Sequence, residues 1–394
     1  MGLCLSGPKQ ARKLIASEKS YTRLPRWPWP RQTWLHADRT GGFSLNSPFM
    51  TTDSFAPLAF SVLDLAPINA GTTPADTFRH SLDLAQQVEQ AGYTRYWLSE
   101  HHNMASVASS SPVVLIGYIA GGTSTLRVGS GGIMLPNHAP LVVAEQLGTL
   151  ATLYPGRIDL GLGRAPGSDQ VTAQAIRGGR FGGVQDFPRD IQQLQAYFSA
   201  ANSTAMVRAI PGEGLEVPIY VLGSSTDSAY LAAALGLPYA FASHFAPGQL
   251  FAALEIYRQN FRPSAALAAP YTIACVNVVA ADTDAEAQRL ATSLKQFMLG
   301  VIKGRPAPLQ PPVESMAGLW EPAQQYAVEQ MLACAFIGSK ATIAQDLQAF
   351  VDETQVNEIM AVTNVFNHEA RVYSYQLLAE ALRGILQPQP ELVG

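Results

Sequence analysis

From residue 58 onward, short apolar runs alternate with longer stretches in which apolar residues recur every three or four positions. Continuous apolar runs are typical of strands buried in a parallel sheet, and the longer period is that of an amphipathic helix. The pattern predicts eight strands, at 58–65, 94–100, 126–135, 157–163, 218–223, 239–243, 271–280 and 357–366. Eight successive strand–helix units favour a closed barrel over an open sheet, so we predict an α/β fold of the (β/α)8 TIM-barrel type.

Two connections in this pattern are longer than the others. One follows the fourth strand and includes a second helical segment at 186–200. The other follows the seventh strand and includes the proline-rich segment 305–314. We therefore predict insertions after strands four and seven, and we expect the second insertion to cross the mouth of the barrel.

The first 49 residues follow neither period, and Pro25, Pro28 and Pro30 exclude a regular helix there. We predict a disordered or irregular extension over 1–57, one barrel domain over 58–385 and a short tail over 386–394. A disordered tail or an upstream start, with Met50 beginning the functional protein, is favoured over a transit peptide, which would also be basic.

Charge is distributed unevenly along the 394 residues. The net charge is -4, but residues 1–49 contain eight Lys or Arg and only two acidic residues. The remaining chain is therefore acidic, which argues against nucleic acid as a partner. No apolar run approaches the roughly 18 residues that span a bilayer. Three widely spaced cysteines, Cys4, Cys275 and Cys334, are not typical of a disulfide framework or a zinc site and favour a reducing cytoplasm.

Chemistry in a parallel barrel collects where strands end in loops at the C-terminal face. The second predicted strand ends at Glu100-His101-His102-Asn103. Successive residues on a strand point to opposite sides, so His101 and His102 do not readily share a metal, and a third ligand is lacking. We predict no metal site. We favour His101 as a proton donor or acceptor over a histidine that is hydrogen-bonded at the start of a loop.

The third predicted strand contains four small residues, 129–132, and ends near Asn137 and His138. Glycine inside a strand marks a bulge or a close approach of another group. The sequence supports equally a slot for a flat ring and a bulge required by barrel packing. His138 is a candidate pocket residue at the mouth, as are Asp64 after the first strand and His244 after the sixth, although a structural role for Asp64 or His244 fits equally well.

Two neighbouring strand ends are suited to a phosphate. Arg164 lies among the glycines of 161–167, and its guanidinium can donate to two phosphate oxygens. The next strand is followed by the segment 224–228, Ser-Ser-Thr-Asp-Ser, at the start of a predicted helix, where free N–H groups attract anions. An ordinary N-cap at Ser225 or Thr226 would look the same. The two loops together indicate a phosphate clamp more strongly than either alone.

The strand ends, taken in order, resemble those of the bacterial-luciferase-like flavin-dependent monooxygenases, within which the alkanal monooxygenase-like oxidoreductases are most similar. The resemblance covers about 58–385 and is strongest at 97–103, 129–140, 153–167 and 221–238. It implies that His101 assists flavin–oxygen chemistry. It also implies that Gly131-Gly132 forms a cis peptide against the flavin ring, and that Arg164, Ser225 and Ser228 bind its phosphate. One departure is Gly163, where luciferase has a reactive cysteine.

The resemblance further implies an enzyme that uses FMNH₂ from a separate reductase. Oxygen would add to give a peroxyflavin that oxidises a small aldehyde-like or hydrocarbon-like substrate in a dry pocket. A homodimer is also implied. Two alternatives stay open: a deazaflavin-dependent dehydrogenase on the same barrel, and a flavin-binding protein without turnover.

Overall fold

A computed structural model describes residues 55–165, 169–178, 183–383 and 385–388. The predictions for 1–54 and for 389–394 lie outside these residues. The strands are β1 (Phe55–Pro57), β2 (Ala59–Asp64), β3 (Arg95–Leu98), β4 (Arg127–Met134), β5 (Ile158–Gly163), β6 (Ile219–Gly223), β7 (Tyr239–Phe241), β8 (Thr272–Ala281), β9 (Ala335–Ser339), β10 (Glu358–Val362) and β11 (Leu386–Pro388). The helices are α1 (Pro74–Gln90), α2 (Pro112–Gly121), α3 (Pro140–Leu153), α4 (Gln170–Arg177), α5 (Phe187–Phe198), α6 (Thr226–Leu235), α7 (Leu250–Asn260), α8 (Asp284–Leu290), α9 (Thr292–Ile302), α10 (Pro322–Met331), α11 (Lys340–Thr354) and α12 (His368–Leu382).

The sheet closes into a parallel barrel of eight strands. Strands β2 to β8 pair in chain order, and β10 pairs with both β8 and β2. All eight predicted strands are present, and the TIM-barrel prediction is confirmed. Strand β9 was not predicted: it pairs with the second half of β8, which continues beyond the barrel. Only alternate residues of β9 are buried, so it lacks the continuous apolar run that marks the barrel strands.

Strands β1 and β11 form a separate antiparallel pair, with Phe55 opposite Pro388. They lie in segments that the sequence placed outside the barrel domain. The limits of 58–385 stay a prediction for the barrel itself, but residues 55–57 and 386–388 do have regular structure. Strand pairing between the two flanking segments joins residues 329 to 333 positions apart, and no local pattern in the sequence indicates it.

Local signals set the helix boundaries. Thr73 caps α1, accepting from the backbone N–H of Asp76, while the Asp76 carboxylate accepts from the backbone N–H of Thr73. Pro74 occupies the first turn, where a missing N–H costs nothing. Among the described residues, no helix is both long enough and apolar enough to cross a bilayer.

The insertion after β8 contains α8, α9, α10 and β9, and one segment of it reaches the first strand's exit loop. The backbone of Leu309 exchanges hydrogen bonds with Ile68 and Ala70. The segment therefore reaches the exit loop of β2, a strand that only β10 separates from β8 in the barrel, and a crossing of the whole mouth stays a prediction. The insertion after β5 contains α4 and α5, also as predicted.

Inside the barrel, a charged network closes the N-terminal end. The Arg95 guanidinium lies 2.8 Å from carboxylate oxygens of both Asp159 and Glu358 and donates to the Tyr220 hydroxyl. Asp159 also accepts from Trp97 Nε1. Arg95, Asp159, Glu358, Tyr220 and Trp97 are buried, whereas Arg127, which also pairs with Asp159, is partly exposed. These polar side chains fill the N-terminal end of the barrel interior.

Candidate functional site at the C-terminal end of the barrel

Alternation along the strands identifies which residues face the barrel axis. An interior cluster, separate from the core that packs against the helices, contains Leu63, Trp97, Tyr220, Ala240, Ile273, Cys275, Met360 and Val362. The next residues on the same faces toward the C-terminal ends form the site. On one side these are glycines of β4 and β5, and on the other side they are polar residues within β8 and in the loops after β3, β7 and β10.

His101 lies on the polar side. Its Nδ1 is 3.2 Å from Ser99 Oγ, and its backbone N–H donates to Ser109 O, which holds the start of this loop. Burial lowers the pKa of His101 below its ordinary value, although the Glu100 carboxylate partly offsets this. The ring is therefore neutral near pH 7 and can accept a proton or donate one, depending on its tautomer.

His244 approaches His101 from the end of β7. Burial, and then the charge of His101, lower the pKa of His244 to about 3. The His244 ring is neutral at physiological pH, and its buried Nδ1 has no hydrogen-bond partner. His244 thus occupies the position at the mouth that the sequence predicted.

His138 and His102 meet at a carboxylate that the sequence did not single out. Glu100 is fully buried, and its Oε1 lies 2.7 Å from Nε2 of both histidines. Its Oε2 accepts from the backbone N–H of Met134. Burial raises the pKa of Glu100, but the hydrogen bonds from His138 and His102 outweigh this and lower it.

The cluster of Glu100, His102 and His138 affects one argument behind the prediction that the chain has no metal site. Ligand atoms of Glu100, His102 and His138 all lie within 4.8 Å of one another. The sequence argument that a third ligand is lacking is therefore wrong, because tertiary structure brings His138 to Glu100. Both rings nevertheless have hydrogen bonds to Glu100, so we assign the trio as a hydrogen-bonded cluster that orients the loops after β3 and β4.

Packing inside the barrel, one of the two roles that the sequence left open, accounts for the glycines of β4. The register against β5 shifts between Ser130 and Ile133, so this strand does contain a bulge. A Cβ on Gly132 would lie 2.8 Å from the backbone oxygen of Gly161, and a Cβ on Gly131 would lie 2.6 Å from Leu63 Cδ1, so close packing requires glycine at both positions. Gly131 is half-buried. The Gly131–Gly132 peptide is cis, as the resemblance implies.

Arg164 and the first turn of α6 come together as predicted. The Arg164 guanidinium lies 3.4 Å from the carboxylate of Asp227, and both groups are partly exposed. Ser225 is the N-cap residue of α6, but its side chain makes no capping hydrogen bond. The ordinary N-cap explanation for Ser225 therefore does not hold. The backbone N–H of Thr226 donates to Gln249 Oε1, so an anion at this turn would be bound by the N–H groups that follow it.

Ser228 has a different environment from the one predicted for a phosphate ligand. Its hydroxyl donates to Ser225 O and lies 2.9 Å from the Tyr239 hydroxyl. Ser228 is buried, and these contacts occupy its side chain. The Ser228 side chain therefore stabilises the turn, and its role in binding a phosphate stays a prediction.

Asp64 is the one pocket prediction that the geometry corrects. Leu63 faces the barrel interior, so Asp64 points outward to the helices. It accepts from Ser81 in α1 and Tyr96 in β3, and it forms a 2.8 Å ion pair with Arg371 in α12. Burial raises its pKa, but Arg371 and the hydroxyl donors lower it further, so Asp64 is a buried structural anion.

Helix α4 connects the loops around the mouth. Asn103 Nδ2 donates to Thr172 Oγ1, and Arg177 Nε donates to Asn137 Oδ1. The helix thereby ties the loops after β3 and β4 to the insertion after β5. Asn103 adopts a left-handed backbone conformation, which asparagine tolerates better than most residues.

The family model described as luciferase-like monooxygenase matches residues 58–358. The chain belongs to the luciferase-like monooxygenase family. A relative from Escherichia coli K12, named luciferase-like monooxygenase, is 51% identical over 84% of this chain and 98% of its own. A Bacillus subtilis relative, named N-acetyl-S-alkylcysteine monooxygenase, is 32% identical over 82% of this chain and 98% of its own. The crystal structure of apo-MsnO8 is 35% identical, with a TM-score of 0.74 over 82% of this chain and 98% of that one.

Membership of this family shows that the protein is an enzyme, an oxidoreductase of the monooxygenase type, which removes the interpretation as a flavin-binding protein without turnover. More distant structures, at 13–17% identity, share the fold. One was solved in complex with FMN and another with an F420–acetone adduct. The fold is therefore shared by proteins that bind either cofactor.

Proposed function

We propose that the protein is an FMNH₂-dependent monooxygenase that oxidises a small organic substrate with O₂. The observation that supports this most is the clamp of Arg164 and the first turn of α6. A cation and the N-terminus of a helix fit a phosphate. The glycines of β4 and the loop of His101 after β3 belong to the two successive strands beside β5, the strand that Arg164 follows. Reduced flavin, when bound, supplies the electrons that activate oxygen.

The residues of this chain have three tasks in that proposal. Arg164 and the turn at Ser225 and Ser228 bind the phosphate. Gly131 and Gly132 form the wall against which the ring lies. His101, which is neutral and held by Ser99, accepts or donates a proton at the oxygen-reacting side. The α4 connection and the segment around Leu309 limit the entry of water.

The Arg164 assignment predicts opposite effects for two neighbouring substitutions. Arg164→Ala should lower the affinity for FMN about tenfold. This is the lower end of the effect of losing a charged hydrogen bond, because the guanidinium is 38% exposed. Asp227→Asn should raise the affinity for FMN a few-fold, since it removes a carboxylate that competes with the phosphate for Arg164 and repels the phosphate. Both affinities are measured by absorbance titration.

Riboflavin lacks the phosphate and is the control ligand in these titrations. Its affinity should be unchanged by either substitution. Equal losses of FMN and riboflavin on Arg164→Ala would show that Arg164 does not bind phosphate. Stronger binding of F420 than of FMN by the unsubstituted protein would favour the deazaflavin alternative instead.

We further propose a homodimer formed through α2 and α3. Val114 and Tyr118 lie one turn apart on α2 and are 68% and 44% exposed, and Val142 and Leu153 of α3 are also exposed. Four large apolar side chains on adjacent helices are typical of an interface. We also propose a separate flavin reductase and a cytoplasmic location, since the described cysteines, Cys275 and Cys334, are free thiols.

Val114→Glu should convert the dimer into a monomer in size-exclusion chromatography with light scattering. A buried, unpaired carboxylate at the centre of an interface is strongly unfavourable. Val171→Glu on α4 is the matched control, because Val171 is 76% exposed and lies outside this surface. A monomeric unsubstituted protein, or dissociation caused by Val171→Glu alone, would contradict the proposed interface.

A further inference from the structure

Three buried polar side chains at the mouth have atoms without hydrogen-bond partners. They are His244 Nδ1, Asn277 Oδ1 and Asn364 Nδ2, and we call these residues the polar arc. Asn277 follows Ile273 and Cys275 on the inward face of β8, and Asn364 follows Met360 and Val362 of β10. His244 is joined to Asn277, whose side-chain nitrogen donates to the His244 backbone oxygen. Each side chain is at least nine-tenths buried.

The atoms of the polar arc can be assigned as hydrogen-bond donors or acceptors. Because Asn277 Nδ2 already donates to His244, its unpartnered oxygen is an acceptor. Asn364 presents a donor. His244 is neutral, as its pKa is about 3. Among the described residues, no Lys or Arg forms a hydrogen bond or ion pair with the arc. The complementary group is therefore uncharged and has both a donor and an acceptor.

Buried polar atoms without partners are rare in folded proteins, because each loses its hydrogen bonds to water. Three of them on adjoining strands, facing the same end of the barrel interior as His101, indicate a missing partner. The arc is formed by residues of β8 and of the loops after β7 and β10, whereas the Arg164 clamp is built on β5 and α6. A ligand group held here would lie beside His101, where the proposed reaction occurs.

We propose that the polar arc binds an amide-type group of the substrate, with Asn277 accepting from its N–H and Asn364 donating to its carbonyl oxygen. This inference rests on the proposed function and narrows it. The substrate class becomes compounds with a carboxamide or N-acyl group, in place of the plain aldehydes or hydrocarbons that the sequence suggested. A plain hydrocarbon would leave the arc unpaired.

Two probes of matched shape test the proposal. Octanamide carries the amide, and nonan-2-one keeps the carbonyl but replaces NH₂ with CH₃. Isothermal titration of the full-length protein loaded with oxidised FMN should show octanamide binding about 5- to 150-fold more tightly, because nonan-2-one would leave the buried Asn277 oxygen unpaired. Equal affinities would overturn the proposal and would mean that the arc is satisfied in another way, for example by water.

Variants assign the effect to individual atoms. Asn277→Leu should abolish the preference for octanamide and leave nonan-2-one unaffected, whereas Asn364→Leu should weaken both probes. Ser293→Ala is the matched control, because its hydroxyl is also buried and unpartnered but lies in α9, outside the arc. It should change neither affinity. If Asn277→Leu lowers only the affinity for FMN and the protein still prefers octanamide to nonan-2-one, the arc binds the cofactor and the proposal is wrong.

A failure of the proposed function can be distinguished from a failure of this inference. If the proposed function is wrong, the unsubstituted protein will not bind FMN in the absorbance titration. The comparison of octanamide with nonan-2-one on the cofactor-free protein still decides whether the arc recognises an amide.

Discussion

His101→Ala should slow substrate oxidation by about 10²- to 10⁴-fold, the usual contribution of a positioned acid or base. The affinity for FMN should change little, because the phosphate clamp is formed by Arg164 after β5 and the first turn of α6 and does not include the His101 loop. Oxygen uptake should end in hydrogen peroxide more often than in product, since the proton donor beside the reacting oxygen is lost. The measurements are oxygen uptake, peroxide release and product formation with FMNH₂ supplied in excess.

His102→Ala is the matched control for this experiment. His102 is the next residue in the chain, but its Nε2 contacts Glu100 and not the His101 side of the mouth. It should lower stability modestly, because Glu100 then keeps only His138 as a side-chain partner. The ratio of product to oxygen consumed should be unchanged. Normal turnover and coupling in His101→Ala, with losses in His102→Ala, would contradict our assignment.

Arg95→Met should lower the free energy of unfolding by about 3–5 kcal/mol. The guanidinium is the cation between the buried carboxylates of Asp159 and Glu358, and two adjacent carboxylates strongly raise its pKa despite burial. Without it, these anions lose their central cation inside the barrel. Urea denaturation at pH 7, or the thermal midpoint at one scan rate where unfolding is irreversible, measures the loss.

Two further variants test the electrostatic origin of this effect. Arg127→Met removes a second cation from Asp159, but the Arg127 side chain is 28% exposed, so the loss should be smaller. Adding Glu358→Gln to Arg95→Met should restore part of the stability, because it removes one uncompensated charge. If Arg95→Met costs less than about 1 kcal/mol, the network does not stabilise the barrel in the way we infer.

The eight barrel strands were predictable because parallel strands covered on both faces must be apolar along their whole length. The same reasoning missed β9, which is half-exposed, and the β1–β11 pair, which depends on contact between the two ends of the domain. The strand ends also indicated most of the candidate site, since the closure of a parallel barrel brings all its C-terminal ends to one face.

The partners at that face were not predictable in the same way. Asp64 lies at a strand end like the others, yet alternation turns it outward to Arg371, 307 residues away in the chain. Glu100 attracted no functional prediction, because its partner His138 comes from the next strand's loop. His244, Asn277 and Asn364 each have a buried side-chain atom without a hydrogen-bond partner. Only the tertiary structure can show that such an atom has no partner.

By itself, the sequence determined the fold class, the order of the strands, the family resemblance and the chemical groups available at each strand end. Hydrophobic periodicity and loop composition are local properties, so they can be seen in short segments of the sequence. Only the tertiary structure decided which of those groups meet: Arg164 with Asp227, Glu100 with two histidines, and Arg95 with two carboxylates. Such contacts depend on strand register and side-chain direction, and both are set by barrel closure, which no single segment encodes.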